Sequence, residues 1–145
     1  MHKVILIMLL TVVSSSAMAE WKEVLKNKEA GFTVYADEKM FRDGNKTKIW
    51  VISDWDQVRK VNGRSAMSVK SLMECDCTTI KNMRVRFIRM TAYSKRGGRG
   101  EIVRELDGRD SKWLSVEPPE DFYVTTELAV WLEACADTLK DKEDE

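Results

Sequence analysis

The sequence predicts an α+β fold: an antiparallel β-sheet with one C-terminal α-helix packed on one face and tethered to it by a disulfide. Three observations carry this prediction. Stretches rich in β-branched and aromatic residues, separated by turn signals, fill the chain as far as Val116. Beyond them the apolar spacing changes once, to steps of three and four residues. Strands followed by one helix, with no strand–helix alternation, make an antiparallel sheet covered on one side. The third observation is the placing of the cysteines, with Cys135 in the late segment and Cys75 and Cys77 in a strand candidate.

The elements follow in order. Residues 21–25 and 32–36 are short apolar-aromatic strands around the polar turn at 27–31. Asp43-Gly44-Asn45 is a turn signal, and residues 47–55 after it form a strand. Residues 56–64 read as a polar connection to the next strand, at 68–77. Residues 83–93 carry the longest strand pattern, with Met83, Val85 and Phe87 alternating with Arg84 and Arg86. The alternation slips at residues 87–89, where a β-bulge is expected. Residues 94–100 hold three glycines and three basic residues, which predicts a hairpin with a long, mobile, basic tip before the strand at 101–106. Residues 113–116 are a last short strand before Pro118-Pro119. Leu128, Trp131, Leu132, Cys135 and Leu139 then mark one face of a helix, capped by Thr125 or Thr126.

Residues 1–19 read as an export signal. Lys3 supplies positive charge, residues 4–13 form the apolar core, and Ala17-Met18-Ala19 is a small-x-small cleavage pattern. The apolar run is too short to span a membrane, which takes about 20 residues. No cysteine follows the run, so no lipid anchor is expected. The expected organisation is a signal peptide at 1–19, a single domain at 20–139 and a charged tail at 140–145.

Cleavage changes two inventories. Of 145 residues, 24 are basic and 24 acidic; the leader holds only Lys3 among them, so the mature chain carries 23 against 24, a net charge of −1. That balance excludes a general nucleic-acid binder. The one histidine, His2, also leaves, and with it every Ser-His-Asp triad, Cys-His pair and imidazole metal site. No cofactor, metal or catalytic residue is expected.

Three cysteines in an oxidising compartment allow one bridge and a spare thiol. Cys75 and Cys77 share a strand face, and joining them to each other needs a strained small ring. A bridge from Cys135 to one of them is the simpler solution, worth about 4 kcal/mol on the chain-entropy model. A redox or metal site at Cys75-x-Cys77 lacks both the C-x-x-C spacing and a histidine.

The order of these features resembles the surface-adhesin protein E family of Gram-negative exported proteins. The matching pieces are Trp21, Phe32-Thr33-Val34-Tyr35-Ala36-Asp37, Lys48-Ile49-Trp50-Val51 and Glu74-Cys75-Asp76-Cys77. They continue through the strand from Arg84 to Tyr93, Gly100-Glu101-Ile102-Val103, Trp113 and Pro118-Pro119 to the helix with Cys135. The resemblance implies an antiparallel sheet joined to a C-terminal helix by a disulfide. It places the family's Asp-Cys pair on Asp76-Cys77, which favours Cys77 over Cys75 as the partner of Cys135. It also implies a binding role, since the family takes its name from a bacterial surface protein that binds host extracellular matrix. The chain departs in lacking a lipid-attachment cysteine.

Candidate binding residues are basic: Lys95, Arg96 and Arg99 at the hairpin tip, with Arg84, Arg86 and Arg89 on the adjoining strand. Such a cluster suits an acidic partner, although a solvated hairpin tip and a charged sheet face that resists aggregation are the plainer reading. Trp50, Trp55, Tyr93 and Trp113 make either a contact surface or a small core. Gly97-Gly98-Arg99-Gly100 is no phosphate loop, because no helix follows it. Gly108-Arg109-Asp110 has integrin-triplet letters in the wrong order, and the sequon Asn45-Lys46-Thr47 goes unread in a bacterium. The acid pairs Asp54/Asp56 and Glu117/Glu120 adjoin turn signals and read as solvated loops. The expected function is that of an exported, non-catalytic binding module, adhesin-like, whose partner is a host matrix or envelope protein or an acidic ligand. The alternative is a periplasmic accessory protein that contacts another envelope protein. Export is to the periplasm, with the cell surface as the further destination.

Overall fold

The computed structural model describes residues 20–108, 111–116 and 125–143. The expected signal peptide, the Arg109-Asp110 pair, Glu117/Glu120 and Pro118-Pro119 lie outside the described residues. Two layers make the fold: a sheet of seven antiparallel strands and one helix against it.

Strands β1 (Trp21–Asn27), β2 (Phe32–Asp43), β3 (Lys46–Val61), β4 (Arg64–Asp76), β5 (Arg84–Lys95) and β6 (Arg99–Asp107) form a meander in chain order. A 3-10 turn, Ile80–Asn82, joins β4 to β5. The short β7 (Leu114–Ser115) pairs with Arg84 and Val85 of β5, below the stretch that β6 occupies. The turns expected at 27–31 and 43–45 close the first two hairpins: the Asn27 carbonyl and side chain accept from Gly31 and Ala30, and Gly31 and Gly44 take positive φ.

The polar connection expected at residues 56–64 is instead paired strand around a two-residue turn. Asn62 and Gly63 have φ of 50° and 75°, the pair of left-handed residues a type I′ hairpin requires. Arg59, Lys60 and Val61 pair with Ala66, Ser65 and Arg64. The pattern was hidden because β3 bulges between Asp54 and Arg59, and both arms beyond the bulge are largely exposed. The expected β5 bulge is present: Met73 faces Phe87 and Leu72 faces Arg89, leaving Ile88 as the extra residue.

Helix α1 (Thr126–Glu143) starts at Thr125, whose hydroxyl accepts from the Leu128 amide at 3.2 Å. Val130, Trp131, Ala134 and Cys135 are fully buried against Val34, Ile49, Met73 and Val85 of the sheet. Leu132, expected on this stripe, is 47% exposed. The docked face is centred on residues 130, 131, 134 and 135, which turns position 132 toward solvent. The helix also runs into the segment set apart as a charged tail, since lysine and glutamate are good helix formers.

Cys77 and Cys135 form the disulfide, and Cys75 is a free, buried thiol. The indole nitrogen of Trp131 donates to the Asp76 carbonyl at 2.8 Å, so the helix is held at adjacent residues by a covalent bond and a hydrogen bond. At the edges of the sheet, Lys22 pairs with Glu133 and Arg42 with Asp137.

Candidate functional site

Because side chains alternate across a strand, the residues that face α1 define by elimination a second face that the helix does not cover. On β3 this face carries Lys46, Lys48, Trp50 and Ile52; on β4 it carries Lys70, Leu72, Glu74 and Asp76. On β5 it carries Arg84, Arg86 and Arg89, opposite Asp76, Glu74 and Leu72.

One end of this face is closed by the segment that follows β6. The Gly108 amide donates to the Ile88 carbonyl at 2.8 Å, and the Ser111 hydroxyl to the Phe87 carbonyl at 2.5 Å. The bulge carbonyls thus steer the chain across β5. Trp113 arrives within 5.6 Å of Lys46, 5.1 Å of Arg84 and 5.0 Å of Arg86. Beneath it, Arg84 pairs with Asp76 and Arg86 lies 2.7 Å from Glu74. Burial alone would raise the Asp76 pKa, but hydrogen bonds from Thr78 and Arg84 outweigh it and hold the carboxyl below its ordinary value.

The other end is closed by the β5–β6 tip. Far from long and free, it is a turn of residues 96–98 folded back on β3 and β4. Arg96 donates to the carbonyls of Trp55 and Asp56, at 3.2 and 2.9 Å. The Gly97 amide donates to Asp54 at 2.6 Å and the Gly98 amide to the Ser68 hydroxyl at 3.0 Å. Buried Ser68 in turn donates to the Lys95 carbonyl at 2.6 Å. The polar residues at the turn are therefore occupied internally, which a pattern of glycines and arginines does not reveal. Asp54, weighed as half of an acid pair, anchors this turn.

Between the two ends lies a groove of about 290 Å³ lined by Trp50, Leu72, Ile88, Arg89 and Asp107. The Lys70 ammonium stands between two indoles, 5.0 Å from Trp50 and 5.8 Å from Trp21. Lys48 and Arg89 have no ion-pair partner among the described residues. Next to this surface, burial and then the Asp54 carboxylate raise the Tyr35 pKa.

The expected basic residues divide into two groups. Arg84 and Arg86 sit under Trp113, while Lys95, Arg96 and Arg99 sit at the opposite end of β5, roughly 30 Å away at strand rise. Of the four expected aromatics, Trp50, Tyr93 and Trp113 are on the uncovered face. Trp55 packs on the helix side with Ala66, Ala92 and Val103, stacked by Arg59 at 4.8 Å. Tyr93 pairs with Ser68 and Ile102 near the tip. Sequence reasoning did not select Trp21, Lys48, Lys70 or Leu72. The alternation Lys48-x-Trp50 and Lys70-x-Leu72 was their signal, one shared by any half-buried strand.

The Cys75 thiol is sealed in the core; burial, with the Glu74 carboxylate beside it, pushes its pKa up to about 12. No group of three or more His, Cys, Asp or Glu suited to a metal occurs among the described residues. No helix among them is long and apolar enough to cross a membrane.

The model of the family described as surface-adhesin protein E matches residues 21–136. No curated protein matches the chain. Among solved structures, crystal form II of Haemophilus influenzae protein E superposes with a TM-score of 0.59 at 18% identity, covering 84% of this chain and 91% of that one. A second structure of Haemophilus influenzae protein E gives 0.57 at 20% identity, covering 86% and 90%. Protein E from non-typeable Haemophilus influenzae gives 0.55 at 19% identity, covering 90% and 87%. At these identities the likeness is one of fold.

Proposed function

The chain belongs to the surface-adhesin protein E family, and from that premise we propose that it is an exported, non-catalytic binding module of the bacterial envelope. One observation carries the reading: the helix covers one face of the sheet, and the other presents tryptophans and cations around a groove. Trp50 and the exposed Arg89 line that groove, and aromatic and arginine side chains are typical of contact surfaces. The reading includes a signal peptide at 1–19, removed to leave a single mature domain beginning at Glu20. Its partner is a protein or an acidic ligand at the cell surface or in the periplasm. Of the basic residues expected to bind, Arg86 and Arg96 serve internal contacts; Lys95, Arg99 and the exposed side of Arg84 add positive charge at the ends of the face.

The deciding experiment is protease and antibody accessibility on intact cells against permeabilised ones, followed by adhesion of the purified protein to matrix-coated surfaces. Labelling of intact cells together with matrix binding is the expected result. Signal only after permeabilisation, with an envelope protein co-purifying, would replace the adhesin reading with that of a periplasmic accessory protein.

A further inference from the structure

We propose that Cys75 is a relay thiol in the oxidation of this protein: the first bridge joins Cys75 to Cys77, and thiol–disulfide exchange then hands it to Cys135. The relay depends neither on the ligand nor on the binding-module reading. Three placements support it. Cys75 and Cys77 are separated by one residue, whereas the native bridge spans a sequence separation of 58, so in an unfolded chain the near pair meets far more often. All three cysteines end in one buried cluster, with Cys75 and Cys77 on the strand face that meets the helix. Asp76, the residue between them, is where the helix docks: its carbonyl accepts from the Trp131 indole, and Cys135 follows about one helical turn later. The contact that seats the helix therefore delivers the Cys135 sulfur to Cys77.

A disulfide-bearing oxidant takes two electrons and two protons from the Cys75 and Cys77 thiols and leaves as two thiols. The Cys135 thiolate then attacks the Cys77 sulfur. A bond forms between Cys135 and Cys77, and the Cys75–Cys77 bond breaks with its electron pair on Cys75, which takes up a proton. No second oxidant is consumed. The fold drives this exchange forward. An extended strand holds residues two apart at about 7 Å, beyond the usual span of a disulfide. The native chain is extended here: Cys75 pairs with Thr47, Asp76 with Lys46, and the Cys77 amide donates to the Asn45 carbonyl at 2.7 Å. Closing that ladder strains the small ring, and strained disulfides are the exchangeable ones. Once released, Cys75 is sealed in the core, where burial and the neighbouring Glu74 keep its thiol protonated. The thiolate needed for the reverse attack is then scarce.

The test unfolds and reduces the purified exported protein and dilutes it into oxidised glutathione. Samples quenched with N-ethylmaleimide are mapped by mass spectrometry for each possible bridge. Cys75–Cys77 should accumulate first and decay as Cys77–Cys135 appears. Cys75→Ala should form the native bridge more slowly, by roughly fivefold or more at the same glutathione concentration. Its oxidised product should show the wild-type near-ultraviolet circular dichroism, which separates loss of the relay from failure to fold. The wild-type time course decides the matter even where the variant does not reach that spectrum. Formation of Cys77–Cys135 with no earlier Cys75–Cys77 species, a Cys75–Cys77 species that persists without converting, or Cys75→Ala oxidising as fast as wild type would each overturn the proposal.

Discussion

The Trp131 indole nitrogen donates to the Asp76 carbonyl oxygen at 2.8 Å, one residue before the cysteine that is bridged to the same helix. Trp131 is completely buried, so this carbonyl has no access to water through the indole's place. Trp131→Phe keeps most of the apolar volume but leaves a buried acceptor unpaired, at a cost of about 1–3 kcal/mol. Trp131→Ala should cost about 3–5 kcal/mol by opening a cavity. Urea denaturation of both variants checks the order; no loss in Trp131→Phe would mean that the hydrogen bond contributes nothing.

The Cys77–Cys135 bridge closes a loop across a sequence separation of 58 residues. Cys135→Ser should lower stability by about 2–4 kcal/mol under oxidising conditions. Cys75→Ala should have a far smaller effect and should remain sensitive to reductant. Thermal melts with and without dithiothreitol distinguish them, because only the wild type and Cys75→Ala lose stability on reduction.

Cys75 should resist alkylation in the native protein. Its thiol is buried with a pKa of about 12, so thiolate is scarce near neutral pH and the reagent has no approach. Iodoacetamide at about pH 8 should label it only after unfolding. Rapid labelling of the native protein would restore a redox role.

Asp76 makes the fold sensitive to acid. Its folded pKa is held below the ordinary 3.8 by Thr78 and Arg84 against the opposing effect of burial. A depressed carboxylate stabilises the native state above the unfolded pKa, and that contribution is lost as pH falls through the folded value. The stability difference between wild type and Asp76→Asn should therefore be constant above about pH 5 and shrink below about pH 4. Urea midpoints across this range measure it; a constant difference would show that Asp76 is not the group responsible.

Gly108 admits no side chain. A Cβ there would lie 2.3 Å from the Phe87 carbonyl oxygen, which is fixed within the β5 bulge. Gly108→Ala should cost roughly 1–3 kcal/mol and displace Trp113 from Arg84 and Arg86. A change in near-ultraviolet circular dichroism should accompany the loss of stability.

Much of the fold was legible because the signals were local. Met83, Val85 and Phe87 alternate because one face of β5 is buried, and the slip at Ile88 is the bulge itself. The 62–63 turn was missed despite its Asn-Gly pair, because the exposed arms around it offered no alternation to draw attention to it. Leu132 was misplaced because a helix with apolar residues on more than one side does not declare which side docks. The site was less legible. Lys48, Lys70 and Leu72 belong to two short alternations on two strands that nothing local connects.

The sequence by itself determined the class of fold and the order of its elements, and narrowed the helix cap to Thr125 or Thr126, since each follows from residues within a turn or two of one another. The resemblance to a family then singled out Cys77. Only the tertiary structure decided which cations are neutralised and which are free. Arg84 and Arg86 meet Asp76 and Glu74 through strand register, and Arg96 is drawn inward by backbone carbonyls from β3. The same pairing sets Lys48 opposite Glu74 and Arg89 opposite Asp107, yet neither cation closes an ion pair among the described residues. Register is set by the sum of many contacts across the sheet, and a bulge of one residue in β5 is enough to change which charges face each other.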